Sequence, residues 1–144
     1  MKLQTQKPGE YKCLSYCAAM LLDISIEEVE GVLGYTGMEI INEGTIPECF
    51  RGIHIQEIQF LFNTKGYCLW PLEKNPILRD APLYLRNQEE RFRWSLSFRK
   101  GILISENHAV AFENEKVFDP NGKIFKISTE YLKNINEAWM MGIT

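Results

Sequence analysis

The sequence predicts an α+β domain, with helices in its first half and a mostly antiparallel sheet in its second. Two observations carry this. Apolar residues recur at helical spacing as far as about residue 66, and from Tyr67 onward they fall into short runs bounded by turn formers. A doubly wound α/β sheet would instead alternate strand and helix throughout. Because 144 residues suit one hydrophobic core, and no repeat, charge block or Gly/Ser-rich linker divides them, residues 1–144 read as a single domain.

The elements follow in order. Pro8 and Gly9 mark a turn, after which Cys13 to Leu22 is apolar almost all round, as a buried helix is. Ser25 with Glu28 three residues on has the form of a capping box opening a helix over Ile26 to Leu33, and Gly34 stops it. Ile55, Ile58, Leu61 and Phe62 recur at helical spacing, placing a third helix at about His54 to Thr64 with Gly66 beyond its end. Strands are expected at Tyr67 to Leu72, Pro82 to Leu85, Gly101 to Ser105, His108 to Glu113, Lys116 to Phe118 and Lys123 to Ile127. Glu113 to Glu115 is short enough for a hairpin, and Asp119-Pro120-Asn121-Gly122 is a strong turn. Ser128 or Thr129 caps a last helix running to about Asn136, and Ala138 to Ile143 returns as a final strand. The segment Arg86 to Lys100, with Phe92, Trp94 and Phe98 among its charges, reads as a solvated flap or long strand edge.

Composition excludes several function classes. Sixteen Lys plus Arg against nineteen Asp plus Glu give a net charge of −3, with no global attraction for nucleic acid. No apolar run is long enough to span a bilayer, and Met1 to Tyr11 is polar, so the chain reads as a soluble cytoplasmic protein without nucleic-acid or membrane partners. Its oligomeric state is not legible. The four cysteines, Cys13, Cys17, Cys49 and Cys68, belong to a reducing compartment on that reading, and their spacing with His54 and His108 does not form a zinc motif. No metal or organic cofactor is called for.

Cys13 is placed where chemistry is possible. It stands at a helix start, where unpaired N–H groups and the positive end of the helix dipole favour a thiolate, and Lys12 beside it adds positive charge. A thiolate attacking a carbonyl needs a general acid for the leaving group, a group that orients that acid, and donors for the oxyanion. The chain holds two histidines. His54 has Glu57 nearby as an ordinary local pair, whereas His108 opens a strand and is followed at hairpin distance by Asp119. Cys17, one turn along the helix, reads as a core residue, and Cys49 and Cys68 read as structural.

These residues resemble a known pattern. Cys13-Leu-Ser-Tyr-Cys-Ala-Ala-Met-Leu-Leu is similar to the nucleophile helix of papain-like cysteine peptidases of the bacteriocin-processing family, and His108-Ala-Val-Ala-Phe and Val117-Phe-Asp-Pro-Asn-Gly122 are similar to its two later strands. The resemblance implies a papain-like fold, with the nucleophile at the start of a central helix packed on the sheet. It implies a hydrolase acting on a peptide or protein substrate, with Cys13 as nucleophile, His108 as general base and acid, Asp119 as orienting group and Gln6 as oxyanion donor. The same triad serves a deamidase or an acyltransferase, and the same scaffold without turnover would be a peptide-binding module. The chain departs from the family in three places: Gln6 stands one residue further from the nucleophile, Leu14 replaces a Gly or Trp, and Lys12 replaces a small or acidic residue.

Overall fold

Helix α1 (Cys13–Leu22) forms from good helix formers, and Ser15 to Leu21 are all buried. It ends at Asp23, whose left-handed backbone (φ 54°) turns the chain toward the next helix. The N-terminus of α2 (Ile26–Leu33) is set by Ser25, whose Oγ accepts the Glu28 N–H at 3.1 Å, and Gly34 (φ 81°) closes its end. Helix α3 (Ile55–Thr64) begins after His54, whose backbone N–H donates to Glu57 Oε2 at 2.8 Å, and it buries Ile58, Leu61 and Phe62. The computed structural model describes residues 1–40, 49–72 and 88–143.

Among the described residues six strands form one antiparallel sheet: β1 (Tyr67–Leu72), β2 (Lys100–Ser105), β3 (His108–Glu113), β4 (Lys116–Asp119), β5 (Lys123–Lys126) and β6 (Glu137–Ile143). Their order is β1-β6-β2-β3-β4-β5. Strands β2 to β5 are joined by short connections and pair with their neighbours in sequence, as local turn chemistry dictates. By contrast β6 returns from the C-terminal side and inserts between β1 and β2, with Gly101 opposite Met140. Gly101 permits that approach, because a Cβ there would overlap the Trp139 carbonyl oxygen.

Side chains of period two divide between the faces of the sheet. Ala109 and Ala111 of β3, Ile102 of β2 and Phe118 of β4 meet α1, α2 and α3 on one face. Val110 and Phe112, Leu103 and Val117 point the other way, into a second core closed by Phe92 and Leu96 of α4 (Gln88–Leu96) and by Leu132 of α5 (Thr129–Leu132). The architecture is therefore α+β, helices on both faces of an antiparallel sheet.

Two local expectations are corrected. Residues from Gln88 to Leu96 are helix α4, not a flap or strand edge: Phe92, Ser95 and Leu96 lie on one helical face and are buried, so burial of that face decides the structure over the high charge of the segment. Helix α5 is also shorter than the sequence suggests. It stops at Leu132, because the Asn136 N–H is drawn into a bond to the Ile104 carbonyl, which starts β6 at Glu137. The strand expected at Pro82 to Leu85 lies outside the described residues, as do Arg86 and Asn87. Among the described residues no helix is long and apolar enough to cross a membrane.

Candidate active site

Three elements deliver the site. The start of α1 holds Cys13, the start of β3 holds His108, and the end of β4 holds Asp119. The β3–β4 ladder is paired from Glu113–Lys116 to Ala111–Phe118, and both strands run on past the last pair. His108 and Asp119 lie on those extensions. The His108 Nε2 meets Asp119 Oδ1 at 2.7 Å, with side-chain exposures of 28 % and 15 %. The half-buried Cys13 lies close enough to the same ring for thiol and imidazole to act on each other's protonation. With Nε2 engaged by the carboxylate, Nδ1 is the nitrogen left for the sulfur.

The electrostatics match this geometry. Burial pushes the Cys13 thiol up, but the His108 hydrogen bond, the Ala109 backbone N–H, the His108 charge and the Leu14 backbone N–H together bring it below the usual thiol range. The His108 imidazole is raised to about 9, first by its hydrogen bond to Cys13, against burial, and then by Asp119. Each partner thus favours the charged form of the other, as in a thiolate–imidazolium pair.

Lys12 does not supply the charge expected of it. Its ammonium is held by Glu30 at 2.9 Å and Glu10 at 3.0 Å, and Glu10 also accepts the Tyr16 hydroxyl at 2.9 Å. Two carboxylates offset its single positive charge, so the imidazolium and the helix-start amides stabilise the sulfur instead. The ion pairs tie the residue before Cys13 to α2. Leu14 packs against the core on the α1 side of the sheet.

Gln6 is brought to the start of α1 by a reversal in the chain. Lys7-Pro8-Gly9-Glu10 forms a turn in which the Glu10 N–H donates to the Lys7 carbonyl at 3.0 Å, and Gly9 at φ 85° supplies the conformation a Pro-Gly turn requires. Gln6 Oε1 then accepts the Lys12 backbone N–H at 3.0 Å, and Gln6 Nε2 donates to Asn121 Oδ1 at 2.7 Å. The neighbouring glutamine is differently employed: Gln4 Nε2 donates to the Ile24 carbonyl at 2.9 Å.

Cys17 lies one turn further along α1, close enough for Cys13 and Asp119 to act on it. Cys17 is fully buried, and burial pushes its thiol far above the usual range, as befits a protonated core residue. Cys68 is half-buried on β1, whereas Cys49 is exposed and so does not serve the core. His54 heads α3. Among the described residues no cluster of three or more His, Cys, Asp or Glu side chains is arranged to hold a metal ion. A groove of about 890 Å³ lies at the other end of β2 and β3, bounded by Trp70, Phe98, Lys100 and Ile143. Five strand residues separate that end from His108, about 17 Å at ~3.4 Å each, and its lining holds neither cysteine nor histidine.

One participant was not legible. Asn121 links Asp119 to Gln6, its backbone N–H donating to Asp119 Oδ1 at 2.8 Å. The only sequence signal was its place in a turn motif, which many asparagines share. In comparison with known proteins, the chain matches no protein-family model and no curated sequence, so its chemistry is read from the geometry just described.

Proposed function

We propose that this protein is a papain-like cysteine hydrolase that cleaves a peptide or amide bond through an acyl-thioester. The observation that carries the reading is His108 held between Cys13 and the Asp119 carboxylate, with thiol and imidazole displaced in opposite directions. The Cys13 thiolate attacks the carbonyl carbon, forming a C–S bond and an oxyanion. Lys12 at the helix start makes no side-chain cap, which leaves the Cys13 amide as one donor to that oxygen, with Gln6 Nε2 as the second. As the C–N bond breaks, the imidazolium gives its proton to the leaving amine. Water then attacks the thioester, His108 takes its proton, and the carboxylic acid departs to regenerate thiolate and imidazolium. Asp119 holds the ring with Nδ1 toward sulfur throughout.

The decisive experiment is amide hydrolysis by a peptide library, with products identified by mass spectrometry. Cys13→Ala is expected to abolish turnover while leaving the circular dichroism spectrum and melting temperature near those of the wild type. His108→Ala is expected to lower turnover by roughly 10³-fold or more, on the scale of losing a triad member. Full turnover in either variant would overturn the reading.

A further inference from the structure

Around the candidate site hydrogen bonds and the Cys13–His108 contact form a closed circuit. Cys13 meets His108, His108 meets Asp119, Asp119 accepts the Asn121 N–H, Asn121 accepts Gln6 Nε2, and Gln6 accepts the N–H of Lys12, which is bonded to Cys13. A further bond, from the Gln6 N–H to the Pro120 carbonyl at 2.8 Å, fastens the N-terminal segment to the same turn. The orientation of the Gln6 carboxamide is over-determined. A backbone N–H can only donate, so Oε1 must face Lys12, and Nε2 must then face an acceptor, which Asn121 Oδ1 provides. One of the two Nε2 protons is used in that bond. The other is left for a substrate oxygen.

We infer that Asn121 is a positioning residue that aims the Gln6 carboxamide at the oxyanion, so that the single turn Asp119–Gly122 sets both the imidazole and the oxyanion donor. The inference rests on the hydrolase reading. Asn121 touches neither sulfur nor ring in the circuit and acts through Gln6. Because it is exposed and its backbone N–H survives substitution, Asn121→Ala removes the Oδ1 acceptor while keeping the bond to Asp119.

Two reactions of Cys13 separate this role from a merely structural one. Alkylation by iodoacetamide displaces iodide and forms no oxyanion. Acylation by p-nitrophenyl acetate passes through a tetrahedral oxyanion and releases p-nitrophenolate, and the rate in Cys13→Ala gives the background to subtract. Asn121→Ala is expected to slow acylation at least tenfold, a fraction of the 10²–10³-fold lost when an oxyanion donor is removed outright, while its alkylation rate follows the wild type across pH. Asn121→Asp, which keeps an acceptor oxygen, is expected to restore acylation. Gln6→Ala combined with Asn121→Ala is expected to acylate no more slowly than Gln6→Ala alone. Undiminished acylation in Asn121→Ala, or additive losses in the double variant, would overturn the inference while leaving the hydrolase reading in place. If the wild type neither acylates nor shows enhanced alkylation at low pH, both fall together. Should Asn121→Ala not fold, the same comparison with Asn121→Ser, judged by the acylation-to-alkylation ratio, decides the matter.

Discussion

At the scale of single residues, the chemistry follows from the mutual stabilisation of one sulfur and one ring. Their displacements in opposite directions set a pH window. Below the lowered Cys13 value the sulfur is protonated and unreactive; above about 9 the imidazole loses the proton that the proposed mechanism has it give to the leaving group. Alkylation of Cys13, followed by mass spectrometry from pH 4 to 10, should therefore show a reactive plateau on the acid side of the ordinary thiol titration. In His108→Ala the plateau should vanish and the rate should rise only near pH ~8.5, the value of a free thiol. The reciprocal effect is visible by NMR. Since the Cys13 hydrogen bond is the largest cause of the raised imidazole, Cys13→Ser should lower the His108 titration midpoint from about 9 toward the ordinary value, with the Asp119 bond still holding it up. An unmoved midpoint would mean that sulfur and ring do not interact.

At the scale of elements, caps and close approaches carry unequal weights. Ser25→Ala removes one helix cap on an exposed turn and should cost about 1 kcal/mol of stability in a urea titration. It should leave Cys13 reactivity alone, since the Ser25 cap lies at the start of α2, and the Lys12–Glu30 pair that ties α2 to the residue before Cys13 is made further along the helix. Gly101→Ala is a different matter. The added methyl would meet the Trp139 carbonyl in the adjacent strand, and backbone cannot swing aside as a side chain does, so the loss should exceed the ~1–3 kcal/mol typical of overpacking. Comparing the two urea midpoints checks whether the β2–β6 contact is as tight as its geometry requires; a Gly101→Ala variant as stable as Ser25→Ala would refute it.

For the whole molecule, the sheet is the partition between two cores, and the candidate site stands at one end of it. Leu132 is fully buried in the core on the α4–α5 face, away from α1. Leu132→Ala should cost about 2–5 kcal/mol, as buried leucines do. If the two cores unfold as one cooperative unit, tryptophan fluorescence and the loss of low-pH Cys13 alkylation will shift to lower denaturant together. Separate midpoints would show that the α1 side survives alone. The cross-sheet alternation of Ala109 and Ala111 against Val110 and Phe112 argues for a single transition, because each β3 residue serves one core or the other along the same backbone.

How much of this was legible in the amino-acid order depended on the range of the interaction involved. Ser25 and Gly34 bounded α2 by bonds to residues a few places away, and the short connections of β2 to β5 were set by their own turns; such features are written locally and were read correctly. Cys13, His108, Asp119 and Gln6 could be nominated by residue type and by resemblance. The charged segment at α4 does not announce its helix locally, because its fate turns on Phe92 and Leu96 finding a core assembled from distant strands. The neutralisation of Lys12 is hidden from the local sequence because Glu30 reaches it from another helix, and the link made by Asn121 is hidden because its partner lies at the opposite end of the chain. Local order determined the elements and the inventory of reactive groups. Tertiary structure alone decided which charges cancel, which strand sits at the centre of the sheet, and which carboxamide meets the start of α1, since Coulomb attraction, close packing and hydrogen bonding act between groups that are near in space, however far apart they stand in the sequence.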